Sequence, residues 1–549
     1  MTMHSRTKNI LSAFCSGLLL FAATPGTPGL AWLAWIALVP LLRSCRTATS
    51  PGNAAWLGLA AGMTFFPLTL SWITIVLGTY GHLEWWVSGA ALLLLSLYMS
   101  LFLALFTAGC RWFAPHLPLA WTAPPLWVAL DMLRGKLFSG FPWLDLGYTQ
   151  FHSAVPLQVA DLFGHHGVTF LIVLANAMVL SGLNLVLAGP SPPPKESAPG
   201  REILTVILPA GLLLIAALFY GAWRQQQVTD LCREAETITA TVVQGNIPQE
   251  QKWSPAFQRQ TVNRYLALSE AALAAPQPPS LLIWPETALP FYPLESPLFV
   301  EMIDRLVHRH RVNLLVGAPH RERPTPNEPP RYFNSAFLME PSDYPLSGMH
   351  LPLSASPPMG RIAGRYDKQH LVPFGEYIPL RTILPSLAPV VETIGDFTPG
   401  LSTGPIACQN ARIGVLICFE SIFPELARRE ARRGANLLVN ITNDAWFGRS
   451  NAPWQHLSMA TFRAVETRRS LARAANAGIS GCIDPLGRPV SLSQLFTADT
   501  KTARLPLLTT ETAFVRYGHH FPTLCLLALL PAGIWKRRRA GRVRAHPPT

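Results

Sequence analysis

Four apolar stretches, near residues 54–77, 85–110, 166–188 and 203–222, constrain this chain more than any other feature. Each matches the length of about 20 residues that an α-helix needs to cross hydrocarbon. With 49% hydrophobic and only 14% charged residues, the chain is too apolar for an ordinary soluble protein, and a membrane component is expected. Shorter apolar stretches near 9–24, 30–43, 119–134 and 521–535 bring the expectation to about eight spans. The first two read as a tight helical hairpin around "TPGTPG", a retained anchor and not a cleaved signal peptide.

Charges between the spans set their direction. Arg6 and Lys8 precede the first span, Arg43 and Arg46 follow the second, and Arg111 follows the fourth. Lys195 and Arg201 separate the sixth from the seventh, and "KRRRAGRVR" follows the last. All fall on one side, which the positive-inside rule makes the cytoplasm, with both termini there. Arg134 and Lys136 break the pattern, because the count puts 134–165 outside. The formal charge of +13 is therefore an orientation signal, and no nucleic-acid partner is expected. Eight cysteines are scattered without the spacing of a disulfide framework or a zinc site. The histidine pairs at 165 and 519 and "HRH" at 308 lack an accompanying ligand set. Neither metal nor other cofactor is expected.

Three regions follow: N-terminal transmembrane helices over 1–223, an extracytoplasmic domain over 224–518, and a last helix with a basic tail over 519–549. In the middle region strand-like runs alternate with helix-like ones. "ITATVVQGN", "SLLIWPE", "VNLLVGAPH", "RIGVLICFE" and "ANLLVNITND" are the strands, with "GISGCIDPLGR" a further short run. "PLFVEMIDRLVHRHR", "FPELARREARRG" and "QHLSMATFRAVETRRSLARAA" are the helices. Such alternation predicts an α/β layered domain. "SPPPKESAPG" at 191–200 reads as a linker.

Chemistry enters at strand ends. "LLIWPETALP" ends a buried run in Glu286, "GRYDKQHLVPFGEYIP" offers Lys368, and "GVLICFES" offers Cys418. Cys418 alone reads equally as inert core, since free cysteine is among the most buried residue types. Together, a carboxylate, an amine and a thiol are a base, an oxyanion-stabilising cation and a nucleophile, the set that acyl transfer requires. The stretch 371–400 is too apolar for a solvent loop and too proline-rich for a long helix; it reads as a cover that gates lipid entry, with 321–364 a second arm.

The order Glu, Lys, Cys in these contexts resembles the nitrilase superfamily, and its coupling to a many-span anchor is similar to the bacterial apolipoprotein N-acyltransferases. "VVQGNIPQEQKW", "WPETALP", "YDKQHLVPFGEYIP", "DFTPG", "ICFES" and "TNDAWFG" carry the resemblance. It implies a nitrilase-like αββα sandwich joined to the multi-span helical membrane domain, with Glu286 as general base, Lys368 beside the oxyanion and Cys418 as nucleophile. Glu376 matches a glutamate supporting the lysine, and Glu420 one beside the nucleophile. Phe419 stands where the family commonly has tyrosine. Trp253, Asn334 and Trp143 match, less securely, residues near the acyl pocket or its lipid. The implied reaction passes a fatty acyl chain from a membrane phospholipid, through a Cys418 thioester, to the N-terminal amine of S-diacylglyceryl-cysteine on an apolipoprotein. The implied place is the bacterial inner membrane, with catalysis on the periplasmic side. A membrane-tethered amidase or nitrilase cleaving a C–N bond, and a non-catalytic transporter or sensor, are the alternatives.

Overall fold

The computed structural model describes residues 3–27, 29–115, 117–187, 199–325, 327–341, 362–377, 397–401 and 404–531. Most of the 191–200 linker, the basic tail and the larger parts of the expected cover and second arm lie outside the described residues. The chain divides into two compact units: Met1–Thr74, Glu84–Gln225 and Tyr517–Thr549 form one, and Ile75–Leu83 with Gln226–Arg516 form the other.

The first unit is helical. Helices Trp85–Phe113, His165–Leu187 and Gly200–Glu234 are long and apolar enough to cross a membrane, and the bent pair Pro51–Thr69 with Trp72–Tyr80 passes as a fourth. The other stretches expected as spans contain the helices Met3–Ala22, Val39–Thr47, Leu119–Arg134 and Phe521–Pro531, which do not meet the same measure. Leu93, Leu97, Leu101 and Leu105, one turn apart, are exposed and form an apolar stripe suited to lipid. The opposite side of that helix packs tightly, because Gly58 and Gly62 of Pro51–Thr69 face it. A Cβ at Gly58 would lie 2.3 Å from the Leu103 carbonyl oxygen, and one at Gly62 would lie 2.6 Å from Ser100. Small residues four apart let two helix backbones approach. Thr107 Oγ1 then donates across the contact to the Ala54 carbonyl at 2.8 Å.

Among the described residues the second unit is an α/β sandwich of two six-stranded sheets. Its strands are β1 (Thr237–Gln244), β2 (Leu281–Ile283), β3 (Asn313–Glu322), β4 (Arg331–Met339), β5 (Ile362–Asp367), β6 (Ile406–Cys408), β7 (Ala411–Ile417), β8 (Leu437–Thr442), β9 (Ser470–Ala475), β10 (Gly481–Ile483), β11 (Pro489–Leu492) and β12 (Asp499–Pro506). One sheet runs β12-β1-β2-β3-β4-β5 and the other β11-β10-β9-β8-β7-β6. Each has a parallel centre, β1-β2-β3 and β7-β8-β9, with antiparallel flanks. Alternate residues meet between the sheets: Ala240, Val242, Leu281 and Ile283 from one, and Ile413, Val415, Ile417 and Val439 from the other, share one core. The outer faces are covered by helices. Val262, Tyr265, Ile303 and Val307 of Gln258–Leu273 and Pro297–His310 pack on the first sheet. Leu426, Leu457, Ala460 and Ala464 of Pro424–Arg432 and Ala452–Thr467 pack on the second. The order of layers is αββα, as the resemblance implies.

One expected helix proves to be two elements. "QHLSMATFRAVETRRSLARAA" is helical to Thr467, but Arg468 takes φ +52° and ends it, and Ser470–Ala475 is a central strand. Alanine and arginine favour helix locally; burial between a parallel neighbour, β8, and an antiparallel one, β10, overrides them.

Candidate active site

The site is built where strands stop. β2 ends at Ile283, and two residues, Trp284 and Pro285, lead to Glu286; β5 ends at Asp367, directly before Lys368; β7 ends at Ile417, directly before Cys418. β2 and β3 are parallel, and two antiparallel steps bring β5 back to their direction. Glu286 and Lys368 therefore leave from carboxyl ends on the same side, where α/β sheets place their ligands. Space for the Glu286 turn comes from β3. A Cβ at Gly317 would lie 2.4 Å from the Pro285 carbonyl oxygen and 2.7 Å from Glu286 Cα.

The charged groups are locked together. Lys368 Nζ, 1% exposed, lies 2.7 Å from Glu376 Oε2 and 3.7 Å from Glu286 Oε1. Asn334 on β4 donates from Nδ2 to Glu286 Oε1 at 2.7 Å and to Glu376 Oε1 at 2.8 Å. Its carbonyl accepts from the Lys368 backbone N–H at 2.8 Å, and Val372 N–H donates to Glu376 Oε2 at 2.9 Å. Burial opposes the Lys368 charge, but Glu376, Glu286 and Cys418 hold its pKa above the ordinary ammonium value. The amine is a fixed cation.

Cys418 has φ +52°, a left-handed conformation that residues with a Cβ rarely adopt. It opens the 3₁₀ turn Cys418–Ile422. The turn is pinned from behind: Ser421 Oγ donates to the Cys418 carbonyl at 3.0 Å, and His456 Nε2 lies 3.1 Å from the same oxygen. His456 Nδ1 meets Asp444 Oδ1 at 3.0 Å, and Asp444 Oδ2 pairs with Arg473 at 2.7 Å. Glu420, fully buried, ties the turn to the Lys368 loop. It accepts from the N–H groups of Ile417 at 2.7 Å, Gln369 at 2.7 Å and His370 at 3.1 Å, and from the Tyr366 hydroxyl at 3.0 Å. Burial pushes the Cys418 thiol up to about 12, and Glu286 adds to this, while Lys368 and a hydrogen bond with Thr442 pull the other way. At neutral pH the sulfur is a thiol. It becomes a nucleophile only when a base removes its proton.

These segments are those of a known family. The apolipoprotein N-acyltransferase N-terminal domain matches residues 16–178, and the carbon-nitrogen hydrolase domain matches 239–513. An apolipoprotein N-acyltransferase from Geobacter metallireducens is 39% identical over 535 residues, covering 97% of this chain and 96% of its own length. The chain belongs to the apolipoprotein N-acyltransferase family. A second such relative, from Methylococcus capsulatus, is 33% identical over 89% of both chains. Among solved structures, a carbon-nitrogen hydrolase from Helicobacter pylori is 19% identical, covers 52% of this chain and 94% of that one, and has a TM-score of 0.36. As a member of the apolipoprotein N-acyltransferase family, the chain is an acyltransferase with a carbon-nitrogen hydrolase domain.

Of the residues expected at the acyltransferase site, Glu286, Lys368, Glu376 and Asn334 form one bonded cluster, and Cys418 lies within its electrostatic reach. Glu420 braces the Cys418 turn, and the ring of Phe419 packs near His370 and Phe423. Trp253 is partly exposed, directly after Lys252. Trp143 belongs to the helical unit, where its buried ring packs on Trp72 and Phe141.

Two features escape sequence reading. Lys252, 2% exposed, donates from Nζ to the Glu286 carbonyl at 3.0 Å. Burial pulls its pKa down to about 8 against the opposing pull of Glu286 and Cys418. Its signal was its place in "QEQKW", where a lysine in a polar run reads as solvated. The Asp444–His456–Arg473 support is the other; "TNDAWFG" marks Asp444, but nothing in the helical run marks His456.

Proposed function

We propose that this chain moves a fatty acyl group from a membrane phospholipid to the α-amine of S-diacylglyceryl-cysteine at the N-terminus of an apolipoprotein, through a thioester on Cys418. In the first half, Glu286 takes the thiol proton as Sγ attacks an ester carbonyl of the lipid. The Lys368 ammonium and the Phe419 backbone N–H hold the oxyanion. The intermediate collapses, the lysophospholipid leaves with the proton returned by Glu286, and the acyl group stays on sulfur. In the second half the acceptor amine attacks the thioester and gives its proton to Glu286. The C–S bond breaks, an amide forms, and Cys418 is reprotonated.

One observation carries this reading: a permanently charged ammonium held between Glu286 and Glu376, beside a thiol too basic to ionise unaided. Such a site spends no reorganisation at the moment charge develops. Asn334 has both amide hydrogens on the two carboxylates, so its part is to hold them, not to touch the acyl chain. Trp253 remains for lipid contact, offering an amphipathic ring, whereas the Trp143 ring is buried against Trp72 and Phe141.

The membrane anchor in this reading has about eight spans, over 1–223 and 519–549, with both termini cytoplasmic and domain 224–518 on the periplasmic side of the inner membrane. Single cysteines labelled from one side in spheroplasts test that arrangement. The chemistry is tested by incubating the purified protein with phospholipid carrying a radiolabelled acyl chain. Label must appear on Cys418 and pass to a diacylglyceryl peptide. No label overturns the thioester; label released only by water makes the protein a hydrolase.

A further inference from the structure

The helical unit holds a second cluster that the proposed acyl transfer does not use. His165 and His166 open the helix His165–Leu187, and His519 precedes the helix Phe521–Pro531, 353 residues from His166. Folding brings the three rings together, with one ligand atom from each lying within 4.8 Å of the others. Ring centroids are 3.9 Å apart for His165 and His166, 4.6 Å for His166 and His519, and 5.6 Å for His165 and His519. His165 and His166 are buried and His519 is partly so.

Hydrogen bonds orient the rings. His165 Nε2 lies 2.7 Å from Asp145 Oδ2, so it is the donor, and in the neutral ring Nδ1 is the acceptor nitrogen. His166 Nε2, at 3.7 Å from the same carboxylate oxygen, is beyond hydrogen-bond reach, so the state of this ring is set at Nδ1. That Nδ1 faces His519 Nε2 at 2.6 Å. The contact holds either one N–H proton between the two rings or, with both nitrogens as acceptors, a metal ion. A third imidazole within reach distinguishes the two, since one proton is satisfied by two nitrogens whereas a metal ion takes three or four. Asp145 is in turn held by Arg134 and is the carboxylate that orients a ligating histidine from behind. Tyr148 stacks on His165 at 4.7 Å and fixes the ring from the side.

We propose that His165, His166 and His519 form a site for a divalent borderline cation of the zinc class, clasping the start of the last helix to the start of helix His165–Leu187. Three neutral imidazoles suit such an ion and not magnesium or calcium, which take oxygen. An ion at the usual Zn–N distance of about 2.0–2.1 Å sets two ligand nitrogens roughly 3.3 Å apart, so seating it opens the 2.6 Å contact by about 0.7 Å. A side-chain rotation of two rings supplies that. The site's task is structural, because its ligands join two helix starts.

The test uses the full chain in detergent, purified without a polyhistidine tag, stripped with chelator and titrated with zinc, then with cobalt as the spectroscopic probe. One equivalent of zinc per chain, a cobalt ligand-field spectrum of a four-coordinate site, and X-ray absorption showing three imidazoles per zinc are expected. H519Q and H166Q should each lose that equivalent and the zinc-dependent rise in melting temperature. No uptake by the wild type, or uptake unchanged in H519Q, overturns the proposal and leaves a shared proton at the contact. Should the variants fail to fold, the wild-type absorption spectrum decides alone: fewer than three imidazoles per zinc refutes the site.

Discussion

Lys252→Met separates two effects of one buried charge. Burial takes Lys252 from its ordinary 10.5 to about 8, so holding the ammonium in place costs roughly 3 kcal/mol at pH 7. Below about pH 8 both folded and unfolded chains bind this proton, and stability carries the full cost. Between about 8 and 10.5 the unfolded chain binds a proton that the folded one lacks, so stability rises with pH by up to about 3 kcal/mol. Acylation should move the opposite way. Loss of the Lys252 charge removes an attraction for the Cys418 thiolate as it forms, and an opposite charge in such a site is worth about 1–3 pKa units, ten- to a thousandfold in thiolate population. Wild-type single-turnover acylation of Cys418 should therefore fall above pH 8 while melting temperature rises. Methionine fills the same volume, removes the roughly 3 kcal/mol cost and leaves the Glu286 carbonyl without that donor, at about 1–3 kcal/mol. K252M should melt near the wild-type temperature at pH 7, acylate at least tenfold more slowly, and show neither trend between pH 7.5 and 9.5. A descending limb above pH 8 that survives in K252M would refute the placement of that charge.

Three other substitutions probe the supports. Gly317→Ala puts a Cβ against the backbone of Pro285 and Glu286, and a shift of about 1 Å at a base costs roughly a hundredfold; stopped-flow acylation should show it with substrate affinity unchanged. Asn334→Ala removes two hydrogen bonds to buried carboxylates, worth about 1.5–3 kcal/mol each, and should lower both melting temperature and the acylation rate. Glu420→Gln turns one acceptor into a donor facing backbone N–H groups or the Tyr366 hydroxyl, a loss of about 3 kcal/mol and roughly 5 °C in melting temperature. If E420Q melts like the wild type, Glu420 does not brace the Cys418 turn.

What sequence alone reveals here follows from where burial is two-sided. Strands β7 and β8 lie in the interior of their sheet with helices outside and another sheet inside, so "RIGVLI" and "LLVNIT" are continuous apolar runs and are legible. β9 has the same surroundings but carries Arg473, whose charge is matched inside by Asp444, so its run looks amphipathic and helical. β12 pairs along one edge of its sheet only, and "DTKTARLP" passes for loop. The membrane helices show the same limit. Length and apolarity are local and identify the long spans, whereas GxxxG packing of Pro51–Thr69 on Trp85–Phe113 depends on what Gly58 faces.

The site divides along the same line. Glu286 and Cys418 are legible because each follows a buried run, and Lys368 because its context, with theirs, matches a family pattern; singly, each reads as well as structure. Lys252 and His456 act at the same centre but sit in polar or amphipathic surroundings, where a charge needs no explanation until tertiary contacts remove its water. The chemistry needs both kinds. A thiol raised to about 12 would be inert with only a carboxylate beside it, since burial and Glu286 both disfavour its ionised form. Two ammonium groups oppose that: Lys368, fixed in charge by Glu376, and Lys252, titrating near 8. In the proposed reaction the first would keep an oxyanion stabilised at every working pH, and the second would make the same centre responsive to pH. Their difference in burial partners, two carboxylates against one carbonyl, sets which lysine stays charged.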